Sequence, residues 1–208
     1  MRNNSVRFAI LFFALISLLG FDRSLAFAQT ETWRLDPPHS AAQFAVRHMG
    51  ISTVRGTFTK VTGDVRYSAV DPTKSSLDIT IDVASLDTRV DMRDNDLRSP
   101  HFFDTAKYPT IAFKSKQVEL AGAGKLKVTG DLTIRGVTKE VTLDVDGPSS
   151  PTKDPRGNEH MGASATTKIN RQDFGVSADS GMVGDDVNIT IDVEMIKQPT
   201  SAAPAAAR

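Results

Sequence analysis

The chain has no cysteine. Disulfide scaffolds, thiolate metal centres, thiol nucleophiles and redox dithiols are therefore excluded, and a domain of this length has to hold together by packing. Net charge is missing too, because 25 lysines and arginines balance 25 aspartates and glutamates. A balanced chain has no electrostatic footprint for phosphates, which argues against nucleic acid as a partner, and no basic stripe for an anionic membrane face. Catalytic signatures are also wanting. There is no G-x-S-x-G elbow and no P-loop, and Gly122-x-Gly124 lacks the third glycine of a dinucleotide turn.

Long hydrophobic runs are confined to one place. Arg2 and Arg7 introduce the almost wholly apolar stretch Phe8 to Phe21, and Ala26-Phe27-Ala28 follows as a small-x-small cleavage site. This layout predicts a secretory signal over 1–28, cut after Ala28. As a permanent anchor the run is short, since spanning a bilayer takes about 20 apolar residues. Removing Arg2, Arg7, Arg23 and Asp22 from the 25 basic and 25 acidic side chains leaves 22 and 24, close to neutral. At the other end, residues 198–208 read QPTSAAPAAAR, an Ala/Pro tail without periodicity that is expected to be disordered. The folded domain is expected over 29–197.

Within that domain the apolar period is two. It is clear in Ala42, Phe44, Val46; in Leu77, Ile79, Ile81, Val83; in Val141, Leu143, Val145; and in Val187, Ile189, Ile191, Val193. Polar neighbours such as Asp78, Thr80 and Asp82 alternate with them, the mark of strands with one buried and one wet face. The sheet is therefore read as antiparallel. Eight or nine strands are expected, near 32–36, 41–48, 53–67, 75–84, 109–120, 124–135, 137–146, 159–169 and 186–197. Parity slips between Phe58 and Val61, beside Gly56 and Gly63, which predicts a bulge or sharp bend within 53–67. So many antiparallel strands form a barrel or a sandwich. The bends favour the barrel, and a dry-cored sandwich stays open.

One segment departs from this pattern. Thr88 to Arg98 predicts a single short helix with Val90 and Leu97 on one face, capped by Asp87 or Thr88 and ended by Ser99-Pro100. Its alternating charges, including Asp87, Asp91 and Asp94, read as a solvated face. Phe102 and Phe103 follow. Two adjacent aromatics cannot both point inward from a strand, but on a turn both can pack on a ligand or on the barrel rim.

Four histidines, His39, His48, His101 and His160, show no metal-ligand spacing; no metal and no catalytic residue is expected, and hydrogen bonding is the preferred role. His39 and His48 are close enough in sequence to be neighbours in space. An eight-stranded barrel has room for one elongated ligand. Its inward candidates are Phe44, Val46, Phe58, Ile79, Ile81, Ile111, Phe113, Leu132 and Ile134, with Leu97, Phe102 and Phe103 from the helix and turn. All are apolar, and such a cavity can solvate a greasy molecule but cannot move protons.

Several stretches, taken together and in order, resemble the YceI family. They are Trp33-Arg-Leu-Asp-Pro-Pro-His39-Ser40, Phe44-Ala-Val46-Arg-His48, Val54-Arg-Gly56-Thr-Phe58, Ser85-Leu-Asp87-Thr and Phe102-Phe103-Asp104. Tyr108-Pro109 to Phe113-Lys-Ser115, Gly130-Asp-Leu-Thr-Ile134-Arg-Gly136 and Arg171-Gln-Asp173-Phe174-Gly175-Val176 complete the set. The resemblance implies an extended, lipocalin-like antiparallel β-barrel of about eight strands with one short helix. It further implies a polyisoprenoid ligand (a prenyl quinone or prenyl phosphate tail, or another long-chain amphiphile) bound without a further cofactor, a periplasmic location and no catalytic reaction. It adds Phe174 to the expected ligand-binding residues. Transient membrane contact and a homodimer stay open. The rival readings are a ligand-free structural or protein-interaction domain, and an enzyme on a small hydrophobe with His39 or His48 as base.

Overall fold

A computed structural model describes residues 30–199. The expected signal and its cleavage site, and the tail from residue 200 onward, lie outside the described residues.

The period-two segments form twelve strands, six of which are halves of longer ones. β1 (Glu31–Leu35) and β2 (Ala41–His48) flank a 3-10 turn at Pro37–His39, where two prolines deprive the ladder of donors. β3 (Ser52–Phe58) and β4 (Val61–Tyr67) flank Thr59-Lys60, while β5 (Ser76–Asp82) and β6 (Leu86–Asp87) flank the turn Val83–Ser85. The rest are β7 (Thr110–Gly122), β8 (Lys125–Ile134), β9 (Val137–Asp146), β10 (Thr152–Lys153), β11 (Glu159–Asn170) and β12 (Val183–Lys197).

The ring runs β1, β4, β5, β7, β8, β9, β11, β12 and back to β1, a closed eight-stranded antiparallel barrel. β2 continues β1 along the same edge of β12, β3 pairs with β2, and β6 with β3. The first two broken strands thus keep both neighbours across the break, whereas β6 pairs with β3 alone.

The breaks themselves lie side by side. The Thr59 N–H donates to the Ser85 carbonyl at 3.3 Å and the Lys60 N–H to the Ser85 hydroxyl at 3.1 Å. The Asp82 N–H reaches the Lys60 carbonyl at 3.0 Å, and the Asp36 N–H the Glu194 carbonyl at 2.8 Å. One bend line therefore crosses three neighbouring strands, and the parity slip at Phe58 to Val61 is its sequence trace. Gly63 stands just beyond it with φ +148°, and a Cβ there would lie 2.3 Å from the Asp78 carbonyl oxygen. Only glycine permits that approach.

One end of the barrel is covered by α1 (Asp91–Arg98), the turn 99–109, the β8–β9 hairpin and the segment 171–182. We call this the capped end. The opposite end carries the loop 147–158 with β10. There Lys197 Nζ bridges Glu31 at 2.7 Å and Glu159 at 3.0 Å, above the fully buried Trp33 ring.

The helix differs from expectation in three respects. It starts at Asp91, and its N-cap is Val90, whose side chain makes no capping bond. The reason is Arg89, which sits at φ +65° and so cannot belong to a helix. Val90 is exposed and does not share a buried face with Leu97. Nor is the charged face wholly solvated, because Asp94 is only 5% exposed. Its carboxylate accepts the Thr88 N–H at 3.0 Å and the Thr88 hydroxyl.

Candidate functional site: an apolar cavity inside the barrel

The inward positions of the strands are apolar, yet they do not fill the space they enclose. Phe44, Leu77, Ile79, Ile81, Val187, Ile189, Ile191 and Val193 all turn inward but are only partly buried, because they face a void. That void measures about 240 Å³. Its lining follows β12 from Val183 to Met195, a path of roughly 40 Å at about 3.3 Å per residue. An elongated shape follows.

Small side chains make the room. One row across the sheet reads Val145, Ala165, Ile191, Ala42, Phe58 in direct register. The two alanines beside Ile191 thin the wall where β11, β12 and β2 meet.

All thirteen expected residues lie on this lining. Phe44 and Val46 come from β2, Phe58 from β3, Ile79 and Ile81 from β5, Ile111 and Phe113 from β7, and Leu132 and Ile134 from β8. Leu97 comes from α1, Phe102 and Phe103 from the turn after it, and Phe174 from the short helix Arg171–Phe174. Phe58 is the hub of the aromatic group, with Phe44 and Phe103 each at 5.8 Å between ring centroids. The turn does let both adjacent phenylalanines face the same interior.

Sequence reasoning missed the β12 stripe Val187, Ile189, Ile191 and Val193, although its alternation was legible, and it missed Tyr67, Leu77, Val145 and the alanines. A few polar side chains join the lining, among them Gln43, Ser75 and Arg171, so the lining is not apolar residue by residue. The surface offered to the void is nonetheless almost wholly carbon.

Three arginines hold the cap over this cavity. Arg98 ties α1 to the Ala84 carbonyl at 3.1 Å and to the Leu86 carbonyl. Arg135 joins the Pro100 carbonyl at 2.9 Å to the Gly175 carbonyl, so the turn 99–109 and the segment after 174 are bound together. Arg171 is 5% exposed and donates to the carbonyls of Val176, Ala178, Val183 and Gly184 at 2.7–3.0 Å, and to Asp185 at 3.3 Å.

The histidines lie elsewhere. His39 and His48 stand at opposite ends of β2 and neither lines the cavity; they are not neighbours, since an extended strand separates them. His39 Nδ1 is 2.6 Å from Asp36, and His160 Nδ1 is 2.6 Å from Glu194. These carboxylates raise both imidazole pKa values, Asp36 acting mainly on His39 and Glu194 mainly on His160. His101 pairs with Asp96 at 3.1 Å on the surface.

Comparison with known proteins agrees with this geometry. A family model described as the YceI-like domain matches residues 33–195. Protein YceI of Escherichia coli O6:H1 is 37% identical over 162 residues, covering 77% of this chain and 83% of its own. Among solved structures, the YCEI protein of Campylobacter jejuni is 35% identical with a TM-score of 0.66, over 74% of this chain and 90% of that one. A polyisoprenoid binding domain from Saccharophagus degradans, implicated in plant cell wall breakdown, shares the fold with a TM-score of 0.58 at 16% identity, over 80% of this chain and 98% of its own.

Proposed function

Because the chain belongs to the YceI family, we propose that it is a periplasmic lipid-binding protein that holds a polyisoprenoid or similar long-chain amphiphile in its barrel. The observation that carries this reading is the long, almost purely carbon-lined cavity inside a closed barrel. The domain from Saccharophagus degradans that is described as binding polyisoprenoid shares this architecture. Export to the periplasm is supported by the signal-like layout of residues 1–28.

Binding without catalysis suits the interior. Arg171 already spends its donors on carbonyls and Asp185, and among the described residues no histidine or carboxylate faces the cavity. What remains is solvation of hydrocarbon. At about 0.8 kcal/mol per buried CH₂, each five-carbon isoprene unit is worth about 4 kcal/mol against water. A long tail would nominally exceed the practical ceiling near 20 kcal/mol, so ordering the chain offsets much of the gain. Against a bilayer the comparison differs, since the tail is already dehydrated there. Transfer from membrane to barrel is then nearly balanced, as a carrier or buffer requires.

The capped end is the proposed loading face. Met49, Ile51, Val90, Met92 and Met182 are exposed there, and the Met49 N–H bonds the Met182 carbonyl at 2.6 Å, which joins two of the three segments. Exposed apolar residues on the cap over a cavity suit transient contact with a membrane. Ile51→Asp combined with Met92→Asp is expected to slow pick-up of labelled prenyl lipid from vesicles while leaving the final occupancy unchanged. An unaltered rate would place loading elsewhere.

Leu97→Asp and Phe103→Asp are expected to weaken lipid retention more than they lower the unfolding midpoint, because these side chains cover the cavity. Equal losses of both would mean ordinary core packing. The primary test is native followed by denaturing mass spectrometry on protein exported to a bacterial periplasm and purified without detergent. An added mass, released by organic solvent and fragmenting as an isoprenoid series, is the expected result. A bare protein that also takes up no added prenyl quinone would turn the reading to a dry interaction domain.

A further inference from the structure

On the outer surface, at the start of the bend line, three separate segments bring metal-binding groups together. Asp36 and His39 flank the diproline turn between β1 and β2, Glu194 points outward from β12, and His160 from β11. The ligating atoms of Asp36, His39 and Glu194 lie within 4.8 Å of one another. His160 approaches the same glutamate from the other side, with Nδ1 2.6 Å from Glu194 Oε1, and its Nε2 is 3.4 Å from Asp154. We propose that this cluster is a binding site for a first-row divalent transition-metal cation of the Zn²⁺ type, ligated by Asp36, His39 and Glu194, with His160 holding Glu194 from the far side.

Three features argue for it. The first is charge. Three carboxylates, Asp36, Asp154 and Glu194, face two imidazoles, and among the described residues no lysine or arginine forms an ion pair with any of the three. With neutral imidazoles the cluster carries an excess of negative charge that a divalent cation neutralises.

The second is donor chemistry. Imidazole nitrogen with carboxylate oxygen is the set that zinc and its neighbours take, and cysteine is not required. Metal bonds of about 2.0–2.2 Å set adjacent ligand atoms roughly 3.3 Å apart, and the ligating atoms of Asp36, His39 and Glu194 already lie within 4.8 Å of one another. The 2.6 Å contact of His39 with Asp36 holds a proton that a metal would displace.

The third is framework. Glu194 and His160 sit on paired strands, and Ser40 fixes the Glu194 backbone, donating its hydroxyl to the Glu194 carbonyl and accepting the Glu194 N–H at 3.2 Å. Asp36 is tied to the same residue through its N–H. A bound ion would clamp β12 to the break after β1. It is independent of the cavity, and the lipid reading can fail without affecting it.

A second group, Asp96 on α1 with His101 and Asp179 on the following turn and the segment before β12, is also close-set but exposed. It serves as the control. The test is calorimetric titration of chelator-stripped full chain with ZnCl₂, alongside Glu194→Gln, His39→Asn and His101→Asn, each checked by circular dichroism. The wild type is expected to bind one equivalent with roughly micromolar affinity and to unfold at higher temperature with zinc. Glu194→Gln and His39→Asn should each weaken binding by roughly tenfold or more, while His101→Asn leaves it unchanged. No heat above dilution, or affinity lost only in His101→Asn, or affinity retained in both Glu194→Gln and His39→Asn, would overturn the site.

Discussion

Ala165→Phe is expected to yield a folded barrel that carries no lipid. Ala165 lies in the wall row between Val145 and Ile191, with Ala42 one strand further on, and its methyl group faces the cavity. A phenyl ring there projects into the void instead of into packed atoms. Insertion of bulk into a filled core costs about 1–3 kcal/mol, but here the space exists, so the unfolding midpoint should change little or rise. The ligand loses what the ring occupies. A chain molecule threaded along the axis cannot route around a blocked waist, so affinity should fall by well over tenfold, more than about 1.4 kcal/mol.

The appropriate readouts are lipid content by mass spectrometry and a urea titration on the same preparation. Ala165→Val, which adds far less bulk, should retain most of the lipid. If Ala165→Phe kept full occupancy at normal stability, the ligand would not pass the seam of β11, β12 and β2, and the proposed axial binding mode would be wrong. If it unfolded, the row would be packed more tightly than its alanines suggest.

The elements that sequence reading caught, and those it missed, differ in the range of the forces involved. Strand positions come from alternation within a few residues. The β5, β9 and β12 stripes were therefore visible, and the slip at Phe58 to Val61 marked the bend. That this bend is shared with breaks at Pro37–His39 and Val83–Ser85 was not visible, because the three segments meet only through cross-strand bonds such as Asp82 to Lys60. Helix α1 was found but begun too early. Thr88-Arg89-Val90 holds no Gly or Pro to stop a helix, and nothing local announces that Arg89 takes a positive φ.

The inward apolar residues were legible because hydrophobic burial follows the strand period. Buried polar residues were not, since their partners are set by the fold. Asp94 looked like one more charge on a wet face. Glu194 is simply an outward strand residue until His39, 155 positions away, and His160, 34 away, arrive beside it.

Arg171 is the extreme case, and its replacement should produce the largest stability loss. In sequence it is one basic residue in the polar run Asn170-Arg-Gln-Asp173. In the fold it is buried, and its guanidinium donates to four main-chain carbonyls between Val176 and Gly184 and to Asp185. The segment 176–182 has little regular structure of its own, and β12 pairs irregularly between Val183 and Val187, so these bonds give the carbonyls their partners. Arg171→Met keeps much of the aliphatic stem and removes every donor.

Breaking a buried charged network by removing one member typically costs about 3–5 kcal/mol, because the remaining acceptors lose both water and partner. A drop of that size is expected in the urea midpoint with the slope unchanged. Arg171→Lys should fall between, since an ammonium has three donors at a single point and cannot reproduce the planar fork. Phe174 and Val176 pack at the cap beside this residue, so lipid leakage should increase in parallel, and faster hydrogen exchange confined to 175–184 would locate the damage. A loss below about 1 kcal/mol, the scale of a single ordinary hydrogen bond, would mean that water satisfies those carbonyls and that the capped end is held by apolar contacts.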